Sequence, residues 1–178
     1  MTLNVVNLLA TSRFAEYLDL DHFSIEADVD FDPDRFPGLT YKIDNPKVCA
    51  LMFRSGRIVI TGAKNLADVE TALEITHKAL REHGCEVWNG YDYHIGNVVV
   101  THDLGRELNL AVLTVSLPMA RTEWEPEQFP GLIYRLKDAS AVCLIFSSGK
   151  CVITGNNSLE EAEESVEVLV KDLDEVMV

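Results

Sequence analysis

Two segments of the chain alternate apolar and polar positions with a period of two around a Ser-Gly pair. Residues 49–62 read CALMFRSGRIVITG, and residues 142–155 read VCLIFSSGKCVITG. A period of two is typical of β-strands, because successive side chains point to opposite faces of a sheet. Each segment therefore predicts a β-hairpin. Both faces of each hairpin are substantially apolar, so the face that does not cover a core is either covered as well or exposed for a purpose.

A helical pattern follows each hairpin. Apolar or small side chains recur at spacings of three and four over residues 66–80 and 159–173, as on one face of an α-helix. Asn65 and Ser158 stand at the expected N-cap positions, and Ser158 opens a capping-box sequence, SLEE. Gly84 is the expected end of the first helix.

These elements belong to a sequence that is written twice. Residues 36–65 and 129–158 align at an offset of 93, with 13 of 30 positions identical. Residues 7–11 and 97–101 also match, at an offset of 90. A repeat of half the chain indicates one module that has been duplicated and fused, with the pseudo-two-fold symmetry of an isologous dimer. Such a molecule suits a target that is itself nearly two-fold symmetric, such as duplex DNA.

The repeat also predicts the architecture. We predict a first repeat at residues 1–90 and a second at 91–178, each with a strand, a short helix, several strands and a long helix. The short helices are expected near residues 15–20 and 108–112. Two long helices and roughly ten strands predict an α+β fold, in which the two tandem repeats form one curved antiparallel sheet with helices on one face. The other face would be open.

Composition limits the function. The chain has 178 residues, an apolar fraction of 47% and a formal net charge of −14. We expect no membrane span and no secretion signal. The four cysteines form no CxxC pair and are expected to be buried, and the five histidines share no catalytic or metal-ligand spacing, so we expect neither an enzyme nor a metal or other cofactor. The negative charge opposes nucleic-acid binding at first sight, but eight of the acidic side chains lie in the last 21 residues.

Three motifs, in four segments, carry a resemblance to a known family: EPEQFPGLIYRL at 125–136, LIFSSGK at 144–150, and VITG at both 59–62 and 152–155. With them, nearly the whole chain resembles the TATA-box-binding protein family in its archaeal form. The resemblance implies a pseudo-two-fold saddle whose concave sheet lies on the minor groove of DNA, with the helices on the convex face. This family is itself a standard example of DNA kinking by inserted apolar side chains, so that mechanism is taken from the resemblance.

The resemblance also implies roles for individual residues. The side chains that intercalate between base pairs would be Phe36, Phe53, Phe129 and Phe146. Contacts to bases in the minor groove would come from Asn7, Asn97, Thr61, Thr154, Leu9, Val99, Leu51, Leu144, Val59 and Val152. Phosphate contacts would come from Lys42, Ser55, Arg57, Lys64, Arg135, Ser148 and Lys150. The contact to transcription factor B would involve Glu125, Glu127 and Gln128.

The implied function is that of a general transcription factor in an archaeal cytoplasm, at the nucleoid. It would bind and bend the TATA box as a monomer and recruit transcription factor B and, indirectly, RNA polymerase. The exposed apolar face would also allow the free protein to form a homodimer. One departure from the family pattern is TGNN at 154–157, where Asn157 replaces a usual lysine. A divergent paralogue that acts mainly as a protein-interaction scaffold, with weak DNA binding, is the alternative. Because basic side chains are few, we expect DNA binding to depend only shallowly on salt.

Overall fold

The computed structural model describes residues 3–177 of the chain. In the first repeat its elements are strand β1 (Asn4–Arg13), helix α1 (Leu20–Glu26), strands β2 (Leu39–Asp44), β3 (Lys47–Met52) and β4 (Arg57–Ala63), and helix α2 (Leu66–Glu82). In the second repeat they are strand β5 (Tyr93–Asp103), helix α3 (Leu110–Ser116), a 3-10 turn (Met119–Arg121), strands β6 (Thr122–Glu123), β7 (Leu132–Arg135), β8 (Val142–Ile145) and β9 (Lys150–Asn156), and helix α4 (Leu159–Val176).

Within residues 3–177, nine strands form one antiparallel sheet in the order β2-β3-β4-β1-β5-β9-β8-β7-β6. This confirms the predicted α+β fold class with a single antiparallel sheet. The predicted hairpins are β3–β4, in which Leu51 pairs with Val59, and β8–β9, in which Leu144 pairs with Val152. The sheet has nine strands where about ten were expected, and β6, with two residues, has no counterpart among the described residues of the first repeat.

The backbone divides into two compact units. One spans Asn7–Gly96, and the other begins at Asn97 and also includes the start of β1. The predicted domain boundary between residues 90 and 91 stays a prediction.

Each unit buries one face of its strands beneath its long helix. In the first unit α2 packs on β3 and β4, and in the second α4 packs on β9. The fully buried apolar side chains of the first unit include Leu8, Ala10, Ala50, Met52, Ile58, Ile60, Val69, Leu73 and Leu80. Those of the second include Val98, Val100, Cys143, Ile145, Cys151, Ile153, Ala162, Leu169 and Leu173. These positions alternate along the strands and recur at helical spacing, as the hydrophobic pattern predicted.

The ends of the long helices follow the predicted capping chemistry. The Asn65 side chain accepts a hydrogen bond from the backbone N–H of Asp68, and the Ser158 hydroxyl accepts one from that of Glu161. The Glu161 carboxylate accepts a hydrogen bond from the N–H of Asn157, one residue before the N-cap rather than at it. Gly84 follows the end of α2 with a φ of +82°, a left-handed conformation that glycine adopts without steric cost.

Both short helices begin later in the chain than predicted. Helix α1 begins at Leu20, where the prediction for the first repeat ended, and α3 begins at Leu110 rather than Leu108. The reason is capping: Asp19 and Asn109 each accept a hydrogen bond from a backbone N–H three residues later, which fixes the first helical turn. Residues 15–18 form a loop, and the N–H of Leu18 donates to the carbonyl of Arg54.

Two of the four cysteines depart from the prediction that all are buried. Cys143 and Cys151 are buried, whereas Cys49 and Cys85 are half-buried. Cys49 is on β3 opposite Thr61, on the face that carries no helix, and Cys85 follows the end of α2. Burial raises the pKa of the Cys143 thiol, and it raises that of Cys151 to about 11, so neither thiol ionises near neutral pH.

Among residues 3–177, no helix combines the length and the apolar character that crossing a bilayer requires. In the same part of the chain, histidine, cysteine, aspartate and glutamate side chains form no group of three or more that could hold a metal ion.

Candidate nucleic-acid interface

In each unit one face of the strands carries no helix, and we call it the open face. In the first unit the side chains on this face include Asn7, Leu9, Leu51, Val59 and Thr61. All of them are half-buried except Val59, which is 5% exposed. The equivalent half-buried side chains of the second unit are Asn97, Val99, Leu144, Val152 and Thr154. The structure therefore places all the predicted minor-groove residues on open faces, as strand alternation requires.

A β-bulge fixes the asparagine on each open face. The register between β1 and β4 shifts between Leu8 and Ala10, opposite Gly62, and the N–H of Gly62 donates to Asn7 Oδ1 over 2.7 Å. The same shift occurs between β5 and β9, where the N–H of Gly155 donates to Asn97 Oδ1 over 2.9 Å. Gly62 and Gly155 have φ values of +93° and +90°. A glycine in this conformation is typical of a bulge, so the TG sequence of each VITG motif positions the asparagine.

The bulge also determines which end of each asparagine side-chain amide is available to bind another molecule. Because Oδ1 of Asn7 and Oδ1 of Asn97 each accept a backbone N–H, the free end of both side chains is the NH₂ donor. In the second unit this group also donates to the Thr154 hydroxyl over 3.2 Å. An NH₂ group can donate to the N3 of adenine or the O2 of thymine, which are the minor-groove acceptors of an A·T pair.

Each unit carries one pair of phenylalanines with the same geometry. The Phe36 and Phe53 rings have centroids 6.1 Å apart and planes at 73°, and the Phe129 and Phe146 rings have centroids 5.9 Å apart and planes at 72°. Both are edge-to-face pairs. Phe36 is 42% exposed, and the other three are half-buried. The structure thus brings the four predicted intercalating residues together in pairs.

The glycine of each FPG sequence lies against both rings of the phenylalanine pair. A Cβ atom added to Gly38 would lie 2.8 Å from Cε1 of Phe36 and 2.9 Å from Cε1 of Phe53. At Gly131 the corresponding distances are 2.8 Å to Phe129 and 3.0 Å to Phe146. Because carbon atoms rarely come this close, any larger residue at these positions would force one of the two rings to move. The available signal was that FPG occurs in both repeats, each time with a second phenylalanine at the same distance downstream.

The Ser-Gly turns of the hairpins are held by the loop that follows the first strand of each repeat. Gly56 donates its N–H to the Phe53 carbonyl, and its own carbonyl accepts the N–H of Phe14. Gly149 donates in the same way to Phe146, and its carbonyl accepts the N–H of Leu104. These bonds fix the turns that carry the exposed Ser55 and Ser148.

The predicted phosphate-contacting side chains are all exposed: Lys42, Ser55, Arg57, Lys64, Arg135, Ser148 and Lys150. Two of them contact other side chains. The Arg57 guanidinium lies 5.9 Å from the centroid of the Phe53 ring, and Arg135 Nη1 lies 3.9 Å from the Glu123 carboxylate. An exposed ion pair of this length contributes little stability, so Arg135 remains available to another anion.

The three predicted contacts to a protein partner lie in the loop between β6 and β7. Glu125, Glu127 and Gln128 are exposed, and the Glu125 carbonyl accepts the N–H groups of Gln128 and Phe129. This turn connects the acidic side chains directly to the phenylalanine pair of the second unit.

Sequence reasoning missed the role of Asn156 in the TGNN segment. Asn156 is fully buried; its Nδ2 donates to the Val98 carbonyl, and its Oδ1 accepts the Ser165 hydroxyl over 2.7 Å. At the offset of 93 the first repeat has Ala63 and Ala72. The simultaneous change of both alanines to polar residues was the signal that could have revealed this buried pair.

Three comparisons show that the chain is similar to known proteins over nearly its whole length. The family model described as transcription factor TFIID (or TATA-binding protein, TBP) matches residues 2–83 and 92–176. The chain is 43% identical over 176 residues to TATA-box-binding protein E of Halobacterium salinarum, covering 98% of this chain and 95% of that protein. It is 39% identical over 175 residues to the TATA-box-binding protein of Thermoplasma volcanium, with the same coverage. The solved structure of Methanococcus jannaschii TBP matches with a TM-score of 0.85 and 37% identity, over 99% of this chain and 100% of that one.

Proposed function

The chain belongs to the TATA-binding protein family, and we propose that it is a general transcription initiation factor that binds the TATA box of promoters through the minor groove. The observation that carries this proposal is the presence, in both units, of an edge-to-face phenylalanine pair beside an open face with a fixed asparagine donor. The proposed function is binding and bending of DNA, without a chemical step.

The phenylalanines act as apolar wedges. Insertion of a ring between two base pairs unstacks that step, which costs a few kcal/mol, and the resulting bend brings more protein surface into contact with the duplex. Pyrimidine–purine steps such as TA unstack most easily, so the deformability of the sequence contributes to selection.

The asparagines and the apolar strand residues read the floor of the groove. The NH₂ groups of Asn7 and Asn97 donate to A·T acceptors, whereas the N2 amino group of guanine would confront them with a second donor. Thr61 and Thr154 add hydroxyl groups nearby, and Leu9, Leu51 and Val99 fill the shallow apolar surface. The exposed basic residues and Ser55 and Ser148 bind phosphates, which positions the duplex without reading its sequence.

The loop that contains Glu125, Glu127 and Gln128 is the proposed contact to transcription factor B. Its exposure and its direct connection to Phe129 support this role. The complex on DNA would then recruit RNA polymerase, at the nucleoid in the cytoplasm.

A gel-shift titration tests the proposal. It compares a TATA-box duplex with a G·C-scrambled duplex, with and without transcription factor B, at two KCl concentrations. We expect selective binding to the TATA duplex that the partner strengthens, and the matched control is a triple alanine variant of Glu125, Glu127 and Gln128, which should keep selectivity and lose the strengthening. Equal binding to both duplexes at both salt concentrations, with the partner still captured, would contradict the proposal and favour a scaffold.

A further inference from the structure

The two repeats carry different charges at one pair of equivalent positions on their open faces. In the first repeat Arg13 of β1 pairs directly with Arg57 of β4. In the second repeat Asp103 of β5 pairs directly with Lys150 of β9. Arg13 aligns with Asp103 at the offset of 90, and Arg57 aligns with Lys150 at the offset of 93. The same place therefore holds two positive charges in one repeat and one charge of each sign in the other.

The two arginines line one groove of the first unit. Thr11, Ser55, Asp92 and His94 also line it. The Nε of Arg13 donates to the Ser55 carbonyl over 3.0 Å, and its guanidinium lies 5.7 Å from the centroid of the Trp88 ring, so the turn and the ring hold this side chain in place.

In the described part of the chain no carboxylate forms an ion pair with either arginine, and the Asp92 carboxylate in the groove is one negative charge against two positive ones. Neither Arg13 nor Arg57 has a carboxylate within 4.0 Å there, whereas Arg54, Arg106 and Arg135 each do. Like charges directly opposite each other across two strands are destabilising. An anion between them would remove that cost, and a guanidinium offers several donors in one plane for phosphate oxygens.

We infer that Arg13 and Arg57 form a clamp for one phosphodiester group of duplex DNA, and that Asp103 weakens the equivalent contact made by Lys150. The inference rests on the proposed function, because it takes the open face to be the DNA-binding surface. Thr11 on that face and Ser55 at its edge supply hydroxyl donors to the same group. The electrostatic attachment to the DNA backbone is therefore unequal, stronger at the first repeat than at the second.

The test exchanges the two residues. Arg13→Asp gives the first repeat the charges of the second, and Asp103→Arg does the reverse. We expect Arg13→Asp to weaken binding to a TATA duplex about tenfold, the effect of one lost charge-assisted hydrogen bond. Because each neutralised phosphate contributes about 0.9 to the slope of log K against log salt, the slope should become shallower by about 1 for Arg13→Asp and steeper by about 1 for Asp103→Arg. Fluorescence anisotropy over a KCl series measures both quantities.

Because Arg13 also donates a hydrogen bond to the Ser55 turn, two further variants separate the effect of its charge on DNA binding from its effect on the structure of that turn. Arg13→Lys keeps the charge and should bind nearly as wild type, whereas Arg13→Gln should resemble Arg13→Asp with a smaller loss. A set of TATA duplexes, each with one neutral methylphosphonate at a backbone position, identifies the phosphate: the substitution that weakens the wild-type protein should not weaken Arg13→Asp further.

Three results would overturn the clamp: an unchanged affinity and salt slope in Arg13→Asp, equal losses in Arg13→Lys and Arg13→Gln, or a methylphosphonate effect that persists in full in Arg13→Asp. Failure of the proposed function looks different, because the wild-type protein itself would then not distinguish the TATA duplex from the scrambled one.

Discussion

Beneath the two open faces, at equivalent places, the first repeat buries Ala63 and Ala72 and the second buries Asn156 and Ser165. The side chains above them are nearly the same in both repeats: the phenylalanine pairs have interplanar angles of 73° and 72°, and each asparagine accepts one glycine N–H. The contrast shows that the two copies of the module have diverged in what supports the surface while keeping the geometry of the surface itself. The main exception is one pair of equivalent positions that carry opposite charges, Arg13 in the first repeat and Asp103 in the second.

The largest effect is expected from removing the phenylalanine pairs, and it tests whether the two pairs contribute equally to DNA binding. Replacing both Phe36 and Phe53 by alanine should weaken binding to a TATA duplex by about a hundredfold or more, because each wedge acts on a stacking energy of a few kcal/mol. The double variant of Phe129 and Phe146 is the matched comparison and should lose a similar factor. Fluorescence anisotropy measures affinity, and energy transfer between the duplex ends measures the bend. A variant with wild-type bending would show that its repeat does not insert a wedge.

The free energy of unfolding should depend on pH through Tyr134, a buried residue of the second repeat. Burial, and then the hydrogen bond to Asp172, raise the pKa of Tyr134 from 10.0 to about 12. Because the pKa is higher in the folded state, the stabilisation is complete below pH 10 and is lost as the pH rises toward 12. By linkage, and after allowing for solvent screening at the part-buried hydrogen bond to Asp172, this loss is on the order of 1–2 kcal/mol. Urea unfolding over this pH range should show a steeper decline for the wild type than for Tyr134→Phe, and parallel declines would contradict the assignment.

The buried polar pair should behave as a unit. Asn156→Ala leaves the Ser165 hydroxyl and the Val98 carbonyl without their partner, so it should lower the free energy of unfolding by about 1–3 kcal/mol. Adding Ser165→Ala reproduces the alanine pair of the first repeat and should recover part of that loss. Urea denaturation of both single variants and the double variant gives the coupling. A double variant that loses the sum of the two single losses would mean that the two side chains act independently.

The smallest effect concerns the TGNN departure. Asn157 is exposed and stands where the first repeat has Lys64. Asn157→Lys should steepen the salt slope of DNA binding by about 0.9, the contribution of one phosphate contact. Lys64→Asn in the first repeat should make the slope shallower by the same amount. If neither variant changes the slope, these positions lie outside the reach of the DNA backbone.

Much of the fold followed from the sequence because local patterns determine it. The alternation around the Ser-Gly pairs located both hairpins, and helical spacing with Asn65 and Ser158 as caps located both long helices. The starts of α1 and α3 were misplaced because they depend on which polar residue caps the first turn, and hydrophobic spacing does not reveal that Asp19 and Asn109 do so. The two-residue strand β6 is too short to leave a periodic signal.

The resemblance proposed the residues of the candidate site, but not the contacts that they make with one another. The resemblance assigned Asn7 and Asn97, yet only the structure shows that a glycine N–H occupies the acceptor of each amide. The crowding of Gly38 against two rings and the Asn156–Ser165 bond join residues that are distant along the chain or that do not repeat. Such contacts depend on tertiary packing, which no local pattern encodes.

The close fit of Gly38 and Gly131 against the phenylalanine rings has an entropic consequence for recognition. A side chain that is free before binding loses rotamer freedom when it is inserted, at a cost of about 0.5–1.5 kcal/mol for each immobilised side chain. Here each ring already packs edge-to-face on its partner ring and lies beside a glycine, with centroids 5.9 to 6.1 Å apart, so folding has met part of that cost before any duplex arrives. In the proposed mode of binding the phenylalanines are therefore partly preorganised, and more of the contact energy remains to deform the DNA.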